Sequence, residues 1–343
     1  MDMEDTRRRF LKSLAVSTIA PVLLDRASRS TAASPGENAR RFHFVQIDVF
    51  TSQRLQGNQL SVFTDARGLS DSEMQDLAHE TNLDETTFVL PRDPAVEAQE
   101  GVKVRIFTPE FEIPFAGHPT LGTATVIRTL RTRSGAVKSS DASASTIVLD
   151  LKVGKVPVSF REDADGLFGE MRQVPPVFGA VHDRSKVAEA LGLDAAEIEP
   201  DLPVQTVSTG LPFAIVPIKR LSTLGSLHLD PQKVNNYLKA QNTERLEFYF
   251  VTRYTGDSKV GLRTRGIFPP IEDPATGSAA GCTSAWMVKY GVAPPDQTVL
   301  ILQGVEIKRP SQLFVRSSKN GATISNVRVG GHAVLVMEGE ASL

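Results

Sequence analysis

Four side chains in this 343-residue chain have the types and settings to move a proton. Glu85 stands in Asn82-Leu83-Asp84-Glu85-Thr86-Thr87-Phe88, just before a strand-like run otherwise poor in charge. His118 follows Pro114-Phe115-Ala116-Gly117, and Ser278 follows Pro274-Ala275-Thr276-Gly277, with Asp273 directly ahead of the second motif. A carboxylate whose surroundings raise its proton affinity can both take and return a proton near neutral pH. Gly117 and Gly277 let the backbone turn tightly and approach a ligand. The helix expected behind each turn offers unpaired N–H groups and the positive end of its dipole. Two such ends facing each other would cradle a carboxylate or an enolate. Singly, each residue has a plainer reading: a surface acid at a strand edge for Glu85, caps for His118 and Asp273, ordinary helix starts for the turns. The occurrence of the turn in both halves of the chain favours a site.

The two halves are related. At an offset of 160, Arg105, Pro109, Glu112, Pro114, Gly117 and Thr123 match Arg265, Pro269, Glu272, Pro274, Gly277 and Thr283, six identities in 19 positions without a gap. At an offset of 153, Gly57-Asn58-Gln59-Leu60-Ser61-Val62-Phe63 loosely matches Gly210-Leu211-Pro212-Phe213-Ala214-Ile215-Val216. A duplication explains both, with a loop of changed length between them. The polar equipment is unequal: Ile113 stands where Asp273 does, and His118 where Ser278 does. Unequal equipment on duplicated halves implies one asymmetric site between them.

The elements that must position these residues alternate irregularly. Strands are expected at 42–50, 60–63, 86–90, 102–107, 147–153, 155–160, 204–208, 213–218, 247–252 and 259–268. Ser70 and Glu73 form a capping box ahead of a helix with Met74, Leu77 and Ala78 on one face. Further helices are expected from about His118, over 231–238 and from Gly277, and 131–145 reads as an exposed loop. Strands outnumber helices without a regular alternation, which gives an α+β fold and excludes Rossmann and TIM architectures.

Composition narrows the function. With 38 Lys+Arg against 40 Asp+Glu, no overall field draws nucleic acid or an acidic membrane. Cys282 is the only cysteine, which excludes an internal disulfide, a thiolate metal cluster and any two-thiol mechanism. No phosphate-loop or dinucleotide fingerprint and no metal-ligand spacing occurs, so neither a cofactor nor a metal is expected. At the amino terminus, Thr6-Arg7-Arg8-Arg9-Phe10-Leu11-Lys12 precedes an apolar run to Leu24, then small residues at Ala32 and Ala33. This layout is that of a twin-arginine export signal over 1–33, too short to span a bilayer, and it predicts a periplasmic mature protein.

Gly57-Asn58, the Asn82–Phe88 run, Arg105-Ile106-Phe107-Thr108-Pro109, Pro114–Thr120, Glu272–Gly281, Gln303-Gly304, Arg309-Pro310-Ser311 and Gly330-Gly331 together resemble the phenazine biosynthesis PhzF-like family of isomerases. The resemblance implies a diaminopimelate-epimerase-like fold of two pseudo-symmetric lobes, each a curled β-sheet around a central helix. By that analogy the lobes span 41–153, completed by 333–339, and 154–332. It also implies cofactor-free isomerisation of a small carboxylate-bearing substrate between the lobes, in a homodimer. The family's catalytic residues fall on Glu85, His118, Asp273 and Ser278; Gly117, Gly277, Asn58 and Ala279 are expected to bind substrate. Gln59 replaces a frequent proline, and Asp84 stands where serine is common, beside the base, where its charge would raise the proton affinity of Glu85. Two rivals stay open: a hydrolase using Ser278, His118 and Asp273, whose glycine spacing is wrong for a nucleophile elbow, and a non-catalytic periplasmic binder.

Overall fold

A computed structural model describes residues 39–136, 145–241 and 246–343. The expected export segment over 1–33 and residues 137–144 of the expected 131–145 loop lie outside them. The first half runs β1 (Arg41–Val49), β2 (Asn58–Phe63), α1 (Asp71–Thr81), β3 (Thr86–Leu90), α2 (Pro94–Glu100), β4 (Val102–Phe107) and β5 (Glu112–Ile113). Then come α3 (Gly117–Arg133), β6 (Thr146–Leu151), β7 (Gly154–Asp163) and β8 (Gly166–Arg172). The second half runs β9 (Val177–His182), α4 (Arg184–Leu191), β10 (Val204–Ser208), β11 (Pro212–Pro217), α5 (Leu221–Ser226), α6 (Pro231–Ala240) and β12 (Glu247–Thr252). It ends with β13 (Leu262–Phe268), β14 (Ile271–Asp273), α7 (Gly277–Lys289), β15 (Val299–Gln303), β16 (Ser311–Asn320) and β17 (Thr323–Ser342). The α+β expectation holds. The helix at Gly117 runs to Arg133, three residues into the expected loop, because Leu130 continues its inward face.

One order of pairing runs through the chain twice. The steps β1–β2 antiparallel, β2–β3 parallel and β3–β4 antiparallel recur as β10–β11, β11–β12 and β12–β13. The β4–β5 register, Ile106 opposite Ile113 and Phe107 opposite Glu112, recurs 160 residues later as Gly266 opposite Asp273 and Ile267 opposite Glu272. Parallel β4–β6 recurs as β13–β15. The ends cross: residues 333–342 of β17 pair with β1, and β9 pairs with β10. The sheet curls around two helices. α3 lies against β1, β2, β6, β7 and β8, and α7 against β10, β11, β16 and β17.

Both central helices are buried over almost their whole length, from Gly117 to Arg128 and from Gly277 to Val288. Their small residues, such as Ala124, Ala279, Ala280 and Ala285, let strands approach on every side, so their sequences show no polar face to read. The matched residues at offset 160 do the same work twice. Arg105 grips Glu112 with Nε–Oε1 at 2.9 Å and Nη2–Oε2 at 2.7 Å; Arg265 grips Glu272 at 2.9 and 2.6 Å. Each two-pronged pair fastens the short hairpin that delivers the chain to the Pro-x-x-Gly turn.

Candidate active site

The capping box at Ser70 forms as expected, and Ser70, Asp93, Asp183 and Asp230 cap the helices that follow them. α3 and α7 differ. Their N-cap residues, Ala116 and Thr276, make no side-chain cap, so the first-turn N–H groups are left for something else. The two uncapped starts meet. A Cβ on Gly117 would stand 3.1 Å from the Gly277 and Ser278 backbone, so glycine is what allows the approach. A cleft of about 560 Å³ opens at this meeting point, and Glu85, Gly117, His118, Asp273, Gly277 and Ser278 all line it.

Glu85 reaches it from the turn after α1, where Asn82 adopts the left-handed conformation and Thr81 bonds Thr86 at 2.7 Å. Its Oε2 lies 3.5 Å from His118 Nε2, with the His118 side chain 5% exposed. Asp273 Oδ1 accepts from Asn58 Nδ2 at 2.7 Å and the Ala275 N–H at 3.1 Å, and its Oδ2 accepts from the Thr276 hydroxyl at 2.8 Å. The turn-capping role of Asp273 is therefore real, and it coexists with a place in the cleft.

Charge is crowded here. Burial, then the charges of Asp273 and Asp84, raise the proton affinity of Glu85 well above the ordinary. Burial and then Asp84 push Asp273 up to about 7, against the bonds from Thr276, Ala275 and Asn58. Burial pulls His118 down to about 3, so its contact with Glu85 is that of a neutral ring, not an ion pair.

Two expected substrate ligands sit elsewhere. Asn58 is 2% exposed and bonds protein groups, and Ala279 is wholly buried in the core; neither side chain lines the cleft. Ser278 lines it at 8% exposure. The faces of His118 are taken by Asn58 at Nδ1 and Glu85 at Nε2, an arrangement unlike a Ser–His–Asp relay. Cys282 is buried and held at a pKa of about 11, which removes it as a base.

Further lining residues carried no usable sequence signal: Glu110, Glu247, Phe115, Leu211 and Phe268 come from separate loops and strand ends. Behind the turn, buried Gln303 accepts from the Thr276 N–H and the Tyr249 hydroxyl, and donates to the Asp273 carbonyl. Away from the cleft lining, Asp163, Asp165 and His332 bring ligand atoms within 4.8 Å of one another, with His332 Nε2 already bonded to Asp163 at 2.8 Å.

Fold and cleft together define a class: a sheet-wrapped pair of uncapped helix starts with a proton-hungry carboxylate beside them. The chain belongs to the phenazine biosynthesis-like protein family, PhzC-PhzF, whose sequence profile matches residues 47–339, and it is an isomerase of that family. It is 33% identical to the trans-2,3-dihydro-3-hydroxyanthranilate isomerase of Pseudomonas aeruginosa, over 88% of this chain and 99% of that one. A PhzF-family protein of Bacillus anthracis superposes with a TM-score of 0.77 at 27% identity, covering 88% of this chain and 99% of that chain. A predicted epimerase of Pseudomonas aeruginosa superposes at 0.73 with 32% identity over the same shares.

Proposed function

We propose that this isomerase moves a proton, without a cofactor, on a small carboxylate-bearing molecule held between the starts of α3 and α7. The observation that carries this reading is the contact of two uncapped helix starts with Glu85 beside them. Ionised Glu85 takes the proton from an acidic carbon, and the electron pair spreads into the substrate as an enolate. The N–H groups at Gly117-His118 and Gly277-Ser278, with the Ser278 hydroxyl, hold that charge. Glu85 then returns the proton at another carbon, so no atom is lost. His118 and Asp273 hold the substrate's polar groups. The names of the relatives favour a hydrogen shift; return to the opposite face of the same carbon would be epimerisation, and product chirality separates the two.

The lining adds a charge requirement. Its described residues include five carboxylates, Asp84, Glu85, Glu110, Glu247 and Asp273, and no lysine or arginine. A plain anion would meet net repulsion, so the substrate brings its own cation, a protonated amine facing Asp84 and Glu247. Calorimetry with amino-carboxylates and their desamino counterparts tests this; equal binding within each pair contradicts it.

The repeated pairing order supports a reading of the fold as two duplicated lobes. The pairing of β7 with β6 and the contacts of β7 and β8 with α3 support a division at 173–176 as an alternative to 153/154. The twin-arginine layout of residues 1–33 favours export and a periplasmic site of action, and family likeness a homodimer.

A further inference from the structure

We propose that Asn58 is a positioning residue that fixes the proton of the His118 ring on Nε2, so that His118 meets the cleft as a hydrogen-bond donor and not as a base. This deepens the proton-transfer reading and rests on it, but its test needs neither turnover nor a ligand.

The orientation of the Asn58 amide is set by its neighbours. Its nitrogen lies 3.2 Å from the Ala275 carbonyl and 2.7 Å from Asp273 Oδ1. A carbonyl can only accept, so the NH₂ group must face that way. The same nitrogen lies 3.1 Å from His118 Nδ1. A proton on Nδ1 would set two donors against each other in a place where Asn58 is 2% and His118 4% exposed. It would also turn a bare Nε2 lone pair on the Glu85 carboxylate, 3.5 Å away. The two amide hydrogens of Asn58 meet three acceptors, so with the proton on Nε2 one hydrogen is shared between His118 Nδ1 and the longer contact to the Ala275 carbonyl, while Nε2–H faces Glu85, and no two donors oppose each other. Nε2 is buried, and its 3.5 Å approach to Glu85 is too long to count as its hydrogen bond, so the donor is left unspent in the structure. The backbone of Gln59 favours a proton on the ring, against the burial that lowers its affinity.

The chain invests in holding Asn58 still. Gly57 before it has φ +70°, and a Cβ there would fall 2.4 Å from the Val49 carbonyl oxygen. From the far half of the chain, Arg309 donates to the Gly57 and Gln56 carbonyls, each at 2.7 Å, and to buried Asp48 at 2.7 Å. The Gly57 N–H donates to the Pro310 carbonyl at 3.2 Å. One amide thus ties the His118 helix start to the Asp273 turn, and its loop is clamped from the second half.

Long-range ¹H–¹⁵N correlation spectra of the ¹⁵N-labelled protein at pH 7 read the tautomer directly, with His118 assigned by the loss of its signals in His118→Gln. The wild type is expected to show a lone-pair nitrogen at Nδ1 and a protonated Nε2. Asn58→Asp, whose carboxylate would accept from Nδ1–H, is expected to reverse the pattern, and Asn58→Ser to mix the two forms. A wild-type Nδ1–H, or an unchanged tautomer in both folded variants, overturns the proposal. Where a variant fails to fold, the wild-type spectrum decides alone. Glu85→Gln turnover speaks only to the proton-transfer reading, so the two can fail separately.

Discussion

At the scale of single residues, three acids share one pool of charge. Glu85, Asp273 and Asp84 each hold protons more tightly than free carboxyls do, so they titrate as a set with shared apparent values. Glu85 works as a base only when ionised, so activity should rise with pH through its raised value. Asp84→Asn removes one of the charges that raise it, and the acidic limb of the pH–rate profile should move to lower pH. An unmoved limb would show that Asp84 does not act on the base. Stability runs the opposite way with pH. Asp273 binds its proton better folded, at about 7, than unfolded, near 3.8. Its favourable contribution is full below that lower value and is lost as pH rises through about 7. Asp273→Asn should therefore show a smaller fall in urea-measured stability between pH 4 and 7 than the wild type. The residue types were legible in the sequence, because Asp84-Glu85 and Asp273 flank turns. The misplacement of Asn58 was not avoidable: its position in Gly57-Asn58 says that it is near the site, not which way its amide faces.

At the scale of elements, the paired turns were readable because each carries the same punctuation, and the helices behind them begin at Gly117, one residue before the expected His118, and at Gly277 as expected. α2, α4, α5, β5, β8, β9, β14 and the split of the last strands were missed. Val177 and Val181 of β9 are exposed, so its alternation points outward and mimics a loop. The crossing of strand ends between halves leaves no local trace at all. Two predictions belong here. In Gly117→Ala, the new methyl meets backbone 3.1 Å away and must push the helix starts apart. Activity should drop on the order of 100-fold with the fold retained by circular dichroism. Full activity would mean that the close approach is not needed. The duplicated arginines should also differ. Arg265→Gln leaves Glu272 without a cation among the described residues and strips a donor from the Leu224 and Leu227 carbonyls. Arg105→Gln leaves Lys152 on Glu112 at 2.5 Å. Urea unfolding should show a loss of roughly 3–5 kcal/mol for Arg265 and about 1 kcal/mol for Arg105.

At the scale of the whole molecule, the central claim is that one carboxylate between two helix starts carries the proton. The export reading is separable from it: Arg7→Lys with Arg8→Lys should leave the fold intact and hold the unprocessed chain in the cytoplasm, as fractionation and mass measurement would show. Arrival in the periplasm at trimmed length would contradict the twin-arginine route. The composition had already excluded a thiol pair, and the buried, proton-bearing Cys282 agrees. What the sequence could not supply was the enclosure that turns Glu85 from a surface acid into a base with raised affinity, because that enclosure comes from residues of both halves. The most direct test is deuterium uptake from heavy water. The probes are trans-2,3-dihydro-3-hydroxyanthranilate and a panel of small amino-carboxylates, each incubated with chelator-treated wild type and with folded Glu85→Gln. Uptake at carbon by the wild type on at least one probe, abolished in Glu85→Gln, is the predicted result. Near-full uptake by Glu85→Gln, or wild-type uptake that needs a restored metal, would contradict the account.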